Sequence, residues 1–314
     1  MIKVSSSLPD ITVLRGGTVN YKQSLTEGVE VLTSLTKIGY DPVDVIIGRD
    51  GEWTSKGYPT DAHDIFTKAH TVVDTTRMEG QAYQVLAKKM HIPLIFGKDT
   101  EIKMDREDLY RILRQQGIQV PDTLVVRSSA TLTPSIFRDI WLQFHTPILI
   151  RPLTRHGEAP PVIIRIFHEL EQVLRDYHEK GIDTHILTYR KKPTTSIAVV
   201  PHFRHEEIYT PLWVDTFPEE GELPHKGSTI RPHLQPLEWR REHIQSVTKK
   251  VYKALGLNTP VCIDYIHHND DYIVVNVELA PSLHKDGRFM KSLATTGVDA
   301  GHYIHEYISH DIQG

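Results

Sequence analysis

The patterned part of the chain opens with ITVLR, a short, largely apolar run of strand length that ends at the pair Gly16-Gly17. Beyond the pair, Leu25, Val29, Leu32 and Leu35 recur at helical spacing in SLTEGVEVLTSLTKIGY, and Gly39 closes the segment. PVDVIIG supplies a second strand, DAHDIFTKAHTVVD a helix followed by a strand, and EGQAYQVLAKKMHIPLIFG a helix leading into another apolar run. This alternation predicts an α/β unit with a mostly parallel sheet over residues 1–97. The glycine pair in GGTVN leaves two readings open, an anion held by backbone N–H groups or a plain tight turn, of which the turn is the simpler.

The pattern changes at Lys98. MDREDLYRILRQQGIQVPDTLVV predicts an amphipathic helix stopped at Gly117, then Pro121 and a β-branched strand. PSIFRDIWLQF reads as a helix, TPILIRPLTRHGEAPPVIIRI as two strands around a glycine-containing loop, HELEQVLRDYHEKG as a helix with charges outward, and HILTYRKKPTTSIAVVPHF as a strand pair. These pieces predict an α+β arrangement. PLWVDTFPEEGELPHKGSTIRPHLQPLEW is rich in Pro and Gly and lacks sustained periodicity, so it predicts a long functional loop. The helix REHIQSVTKKVYKALGL then leads into the strands CIDYI and YIVVNVEL. HHNDD joins them as a hairpin turn that includes His267, His268, Asn269 and Asp270. APSLHKDGRFMKSLATTGVDAGHYIHEYI predicts a loop and one closing helix.

The last strand pair raises a chemical question. Period two places Asn276 and Glu278 on one face, and antiparallel pairing brings Asp264 toward them. Such an oxygen-rich cluster suits a hard divalent cation, Mg²⁺ or Mn²⁺, which commonly shares its ligands with nucleotide phosphates. A solvated sheet face with three unrelated polar residues fits the same spacing, and the pattern alone does not choose.

Composition removes several alternatives. With 314 residues, 39% of them hydrophobic, and a net charge of -4, the chain can bury a full core and form two or three domains. The single Cys262 excludes an internal disulfide and a thiolate metal cage, and inside a strand it reads as packing rather than as a nucleophile. The nineteen His residues are scattered, without helical metal-binding spacing. No basic excess supports nucleic-acid binding. No apolar run reaches the ~18 residues of a membrane helix, and MIKVSSSLPDITVLRGG lacks the layout of a signal peptide, so a cytoplasmic protein without a membrane partner is expected.

Taken in order, the segments resemble the ATP-grasp ligases over nearly the whole chain, and within them the D-alanine:D-alanine ligase branch. VLRGGTVNYKQSLTEGVEVLTSL looks like that branch's first strand, glycine turn and helix, and MDREDLYRILRQQGIQVP like its MDK helix before a Gly-Ile-x-x-Pro strand. TPILIRP is similar to its P-x-x-V-K-P strand, KALGLNTPVCIDYI to its A-L-G strand ending in R-V-D-F, and VVNVELAPS to its L-E-V-N-T-L-P-G strand. The resemblance implies an ATP-grasp fold behind the N-terminal α/β domain, with a small subdomain over residues 98–185 and a C-terminal subdomain over 186–314. It implies ATP with two Mg²⁺ as cofactors, an acyl phosphate made from a carboxylate and attacked by an amine, small-molecule substrates, and a homodimer.

Residue by residue, the resemblance implies that Asp264, Asn276 and Glu278 hold metal, with Asn276 and Glu278 exchanged relative to the family's Glu-x-Asn. Arg106 and Arg151 stand where the family has phosphate-binding lysines, and arginine can grip phosphate oxygens bidentately. The alternative for this pair is a helix cap and an internal salt bridge. Thr188 and Tyr189 fall in the hinge that contacts adenine, and Lys226 corresponds to a loop lysine that closes over phosphate. Lys285 and Arg288 are further cations able to face an acidic substrate.

Other positions depart from the family. Its catalytic Arg, two residues before the metal Asp, is Cys262; its amino-acid-binding Glu is absent from GGTVNYKQS; and its His-Gly turn is replaced by DTTRMEG. D-alanine dipeptide synthesis is therefore not expected. Three readings follow: a ligase of altered substrate choice, a catalytically impaired relative that binds nucleotide or acts as a scaffold, and an unrelated two-lobed binding protein.

Overall fold

The computed structural model describes residues 9–18, 20–78, 81–95, 105–153, 159–190, 192–217, 228–233, 236–268 and 271–311. The first unit runs β1 (Ile11–Gly16), α1 (Tyr21–Lys37), β2 (Val43–Ile47), β3 (Trp53–Ser55), β4 (Tyr58–Thr60), α2 (Ala62–Phe66), β5 (Thr71–Asp74), α3 (Ala82–Lys89) and β6 (Leu94–Ile95). Its sheet has the order β4-β3-β2-β1-β5-β6. β1 pairs in parallel with both β2 and β5, and β5 in parallel with β6. A central parallel strand is covered on both faces, which is why ITVL is largely apolar without alternation.

The antiparallel edge hairpin β3–β4 went unseen in the pattern, because three-residue strands carry too little periodicity to register. At the end of β1 the chain turns through Gly16 at φ 94, where an added Cβ would lie 2.3 Å from the Ile47 carbonyl oxygen.

The middle sheet is built from β7 (Thr123–Val126), β8 (Ile148–Pro152), β9 (Val162–Ile164) and β10 (Thr184–Thr188), ordered β7-β10-β8-β9. α4 (Arg106–Gln115) precedes it, and α5 (Pro134–Gln143) and α6 (Phe167–Glu179) pack their apolar faces on it through Phe137, Ile140, Leu170 and Leu174. α4 starts where Asp105 accepts a hydrogen bond from the Asp108 N–H, with Glu107 and Asp108 favourably placed at its positive end.

The third sheet contains β11 (Thr194–Phe203), β12 (Glu206–Tyr209), β13 (Val214–Phe217), β14 (Thr229–Pro232), β15 (Val261–His268) and β16 (Asp271–Glu278). Its order is β14-β13-β11-β15-β16, with β12 paired to β11. One face packs on α4 and on α7 (Glu238–Ala254) through Ile197, Val199, Ile263, Tyr265 and Val251. The other packs on α8 (Arg288–Ala294) and α9 (Ala300–Asp311) through Ala198, Cys262, Phe289, Leu293 and Tyr303. α9 also lies against α1, so the last helix joins the third sheet's core to the first unit.

Three expectations change here. The Pro/Gly-rich segment expected to be all loop contains β13 and β14, which are held by pairing to β11 and to each other rather than by local pattern. The single closing helix is two, separated at Gly297 with φ 78. His267 and His268 end β15 instead of sitting in the turn, paired with Tyr272 and Asp271.

Candidate active site

Asp264 faces Asn276 directly across β15 and β16, and Cys262 faces Glu278. On the other side of β15, Ser196 of β11 faces Asp264. Alternation puts all five side chains on the face toward α8. The register slips between Asp264 and Tyr265, so that Asp264 pairs with Asn276 while Tyr265 pairs with Val274. Val275 is the extra residue of this bulge, and without it Asp264 and the apolar Tyr265–Val274 pair would not both fall on their proper faces.

The three oxygen bearers converge, and a guanidinium lies among them. Asp264, 2% exposed, accepts from the Ser196 hydroxyl at 2.7 Å on Oδ1, and on Oδ2 from the Asn276 amide at 3.0 Å and Arg288 Nη1 at 2.6 Å. Arg288 Nη2 reaches Glu278 Oε2 at 3.1 Å. Arg288 is the first residue of α8, set in place by the preceding turn in which the Gly287 N–H donates to the His284 carbonyl at 2.8 Å. Asp264, foremost, raises the Arg288 pKa further above its ordinary value. Burial pushes the Glu278 carboxyl up despite Arg288, with Asp264 adding to the rise. The Cys262 thiol beneath is fully buried and is also pushed up by burial, which agrees with a packing role.

This arrangement does not fit a resident divalent cation. Mg²⁺ or Mn²⁺ needs about six oxygen ligands in a tight shell, yet both carboxylates already accept from Arg288. A doubly charged ion beside that guanidinium would also meet like-charge repulsion. Among the described residues, no group of three or more His, Cys, Asp or Glu side chains is placed to hold a metal.

The first unit closes the neighbouring wall. Glu27, buried on α1, accepts from the Leu283 N–H at 2.6 Å, the Ser282 hydroxyl at 2.8 Å and Arg77 Nη2 at 3.0 Å. One turn on, Glu30 accepts from the Lys285 N–H at 2.9 Å. Two carboxylates on one helix thus pin the loop that delivers Arg288. Glu27 went unremarked in the sequence, although its place in the stripe Ser24, Glu27, Gly28, Val31 and Leu35 was the available signal, a charged residue on a core-facing helix side. The glycine turn beside this wall is a turn and not an anion cradle. The N–H groups of Gly16, Gly17 and Thr18 go to Ser24 Oγ at 2.8 Å, the Ile47 carbonyl at 2.7 Å and Met78 Sδ at 3.4 Å.

A second cluster lies on the middle sheet. Arg151 on β8 and His185 on β10 are cross-strand partners, and Tyr110 of α4 stacks on the His185 ring at 5.7 Å. Arg151 donates through Nη2 to the Tyr110 hydroxyl, while its buried Nε and both ring nitrogens of fully buried His185 have no protein partner among the described residues. Burial first, then the charges of Arg151 and Arg106, lower the His185 pKa to about 4. Arg106 opens α4. Among the described residues Arg151 forms no salt bridge, the alternative expected for it. Thr188 ends β10, and the buried Tyr189 follows with its N–H on the Pro147 carbonyl at 2.8 Å. Lys226, and residues 154–158 of the loop after β8, lie outside the described residues.

No protein-family model and no curated protein matches the chain. Solved structures do. D-alanine–D-alanine ligase from Bacillus anthracis complexed with ATP has a TM-score of 0.73 at 16% identity, covering 98% of each chain. The D-alanine–D-alanine ligase from Coxiella burnetii has a TM-score of 0.77 at 13% identity over 97% of this chain and 94% of that one. The VanG D-Ala:D-Ser ligase from Enterococcus faecalis has a TM-score of 0.76 at 16% identity over 96% and 99%. The chain has the ATP-grasp fold, preceded by the N-terminal α/β unit. Identities this low establish the fold and leave the activity to be argued from the residues.

Proposed function

We propose that this protein is an ATP-dependent ligase that joins a carboxylate to an amine through an acyl phosphate, on substrates other than a pair of D-alanines. The observation that carries the reading is the pair of buried groups on the middle sheet, Arg151 Nε and the His185 ring, that have no partner among the described residues, in a chain of which 98% matches an ATP-complexed ligase. Buried polar groups are seldom left unpaired without reason, and phosphate oxygens could accept from Arg151 Nε and from the one protonated nitrogen of the neutral His185 ring. In this reading Arg151 and Arg106 hold the phosphates, Thr188 and Tyr189 flank adenine, and Lys226 closes from its loop. Lys285 and Arg288 are the cations on the side of an acidic substrate. The protein works as a cytoplasmic homodimer, with the division into residues 1–97, 98–185 and 186–314 expected from sequence.

Arg288 favours a second reading. Its fork into Asp264 and Glu278, with Cys262 in place of a catalytic arginine, also suits an impaired homologue that binds nucleotide or serves as a scaffold. Calorimetric titration with ATP and phosphate release over a panel of amino-acid pairs separate the two. Binding with turnover supports the ligase, and binding without turnover supports the homologue. No ATP binding by the wild-type protein overturns the ligase and the nucleotide-binding homologue and leaves only a scaffold.

A further inference from the structure

The cluster of Asp264, Asn276 and Glu278 contains its own cation. We propose that Arg288 is the resident positive charge of this site, occupying the carboxylates that a divalent ion would otherwise take, so that the folded protein binds no Mg²⁺ or Mn²⁺ there in the absence of nucleotide. This deepens the ligase reading and rests on it only for the role of the site, since the occupancy is a property of the protein alone.

Three observations converge. The fork is two-sided, with Nη1 on Asp264 at 2.6 Å and Nη2 on Glu278 at 3.1 Å, so one planar group engages both carboxylates. The second oxygen of Asp264 accepts from Ser196 Oγ at 2.7 Å, so that with Asn276 and Arg288 three of the roughly four lone-pair directions of the carboxylate are filled. Arg288 is also not a loose surface residue. It starts α8, whose Phe289, Met290 and Leu293 are buried in the core, and the loop before it is held to α1 by Glu27 and Glu30. A swing of its side chain away from Asp264 would leave that buried carboxylate without its countercharge.

The position of Cys262 completes the argument. It faces Glu278 and lies two residues before Asp264 on the same sheet face, so an arginine rooted there would direct its guanidinium at the space that Arg288 fills from the opposite side. The positive charge reaches the carboxylates from the helix and not from the strand. A fixed guanidinium can oppose charge developing on a phosphoryl or tetrahedral oxygen, as a metal ion would, without a metal-binding equilibrium.

The test is a Mn²⁺ titration of the full-length protein without nucleotide, followed by electron paramagnetic resonance of the free ion. The wild type is expected to leave Mn²⁺ free up to about 1 mM, and Arg288→Met to bind at least ~10-fold more tightly than wild type, because the substitution exposes two carboxylates and an amide oxygen. Circular dichroism and thermal melts establish folding. Arg288→Gln replaces the methionine variant if that one does not fold, with the same expected gain. Wild-type binding in the micromolar range, or equal Mn²⁺ affinity in the wild type and the folded variant, overturns the proposal. Neither result touches the ATP titration, so the failure of this inference is distinguishable from failure of the ligase reading.

Discussion

Arg151 donates to the hydroxyl of Tyr110 at 2.7 Å, and that hydroxyl donates onward to the carbonyl of Val275, the bulged residue of β16, at 2.8 Å. The relay ties a basic side chain of the middle sheet to the irregularity that orients Asn276 and Glu278 on the third. Two clusters that belong to different sheets share one phenol as a strut.

Replacing Tyr110 by Phe keeps the ring stack on His185 and removes the strut. The Val275 carbonyl and one Arg151 nitrogen each lose a partner in a part-buried setting. The variant is expected to be less stable by roughly 1–3 kcal/mol in urea unfolding. ATP affinity should fall several-fold as Arg151 loses its fixed orientation. A variant with wild-type values of both quantities would show that the relay positions nothing.

His185 makes the fold acid-sensitive in a definite window. Its ring is held to about 4, chiefly by burial and then by Arg151 and Arg106, with Arg127 acting in the same sense and Asp105 against it. An unfolded imidazole titrates near ~6.5. Between the two values the unfolded chain binds a proton that the folded chain refuses, so stability rises with pH there and is lost as pH falls from ~6.5 toward 4. His185→Phe should flatten this part of the profile in urea melts collected across the window, and an unchanged slope would assign the acid sensitivity elsewhere.

Glu27 and Glu206 are both paired with cations yet should differ in what they contribute. Glu27 is 3% exposed and receives two further hydrogen bonds besides Arg77, whereas the Glu206 pair with Lys249 at 3.1 Å is half exposed. Glu27→Ala is expected to cost ~3 kcal/mol, since it strands a guanidinium and a backbone N–H. Glu206→Ala should cost less than about 0.5 kcal/mol. Equal losses in chemical denaturation would contradict the clamp between α1 and the loop before α8.

What could be read in the sequence, and what could not, follows a physical division. The convergence of Asp264, Asn276 and Glu278 was legible because strand period and hairpin pairing are local rules, and the register carries it through. The reach of Arg288 into that cluster was not. Which side of α8 meets β15 depends on α8 packing against β11, β13 and β15, a tertiary outcome with no trace in the spacing of HKDGRFMKSL. Arg151 was placed by its strand, but His185 beside it drew no notice, since a His inside the apolar run HILT reads as packing until its neighbours are known to be Arg151 and Tyr110. The strands β13 and β14 were missed for the related reason that edge pairing, not sequence alternation, holds them.

Whether positions 262 and 288 address the same space can be tested by placing the guanidinium on the strand instead of the helix. Cys262 is fully buried beside Glu278, so Cys262→Arg alone forces a second guanidinium against Arg288 with no carboxylate left over and should destabilise the protein by more than ~3 kcal/mol. In an Arg288→Met background the new side chain finds Asp264 and Glu278 vacated by the old one. The two substitutions should then couple favourably, the double variant being more stable by about 1–3 kcal/mol than the sum of the single losses predicts. Additive losses in a double-mutant cycle measured by urea unfolding would mean that the two positions do not address the same space.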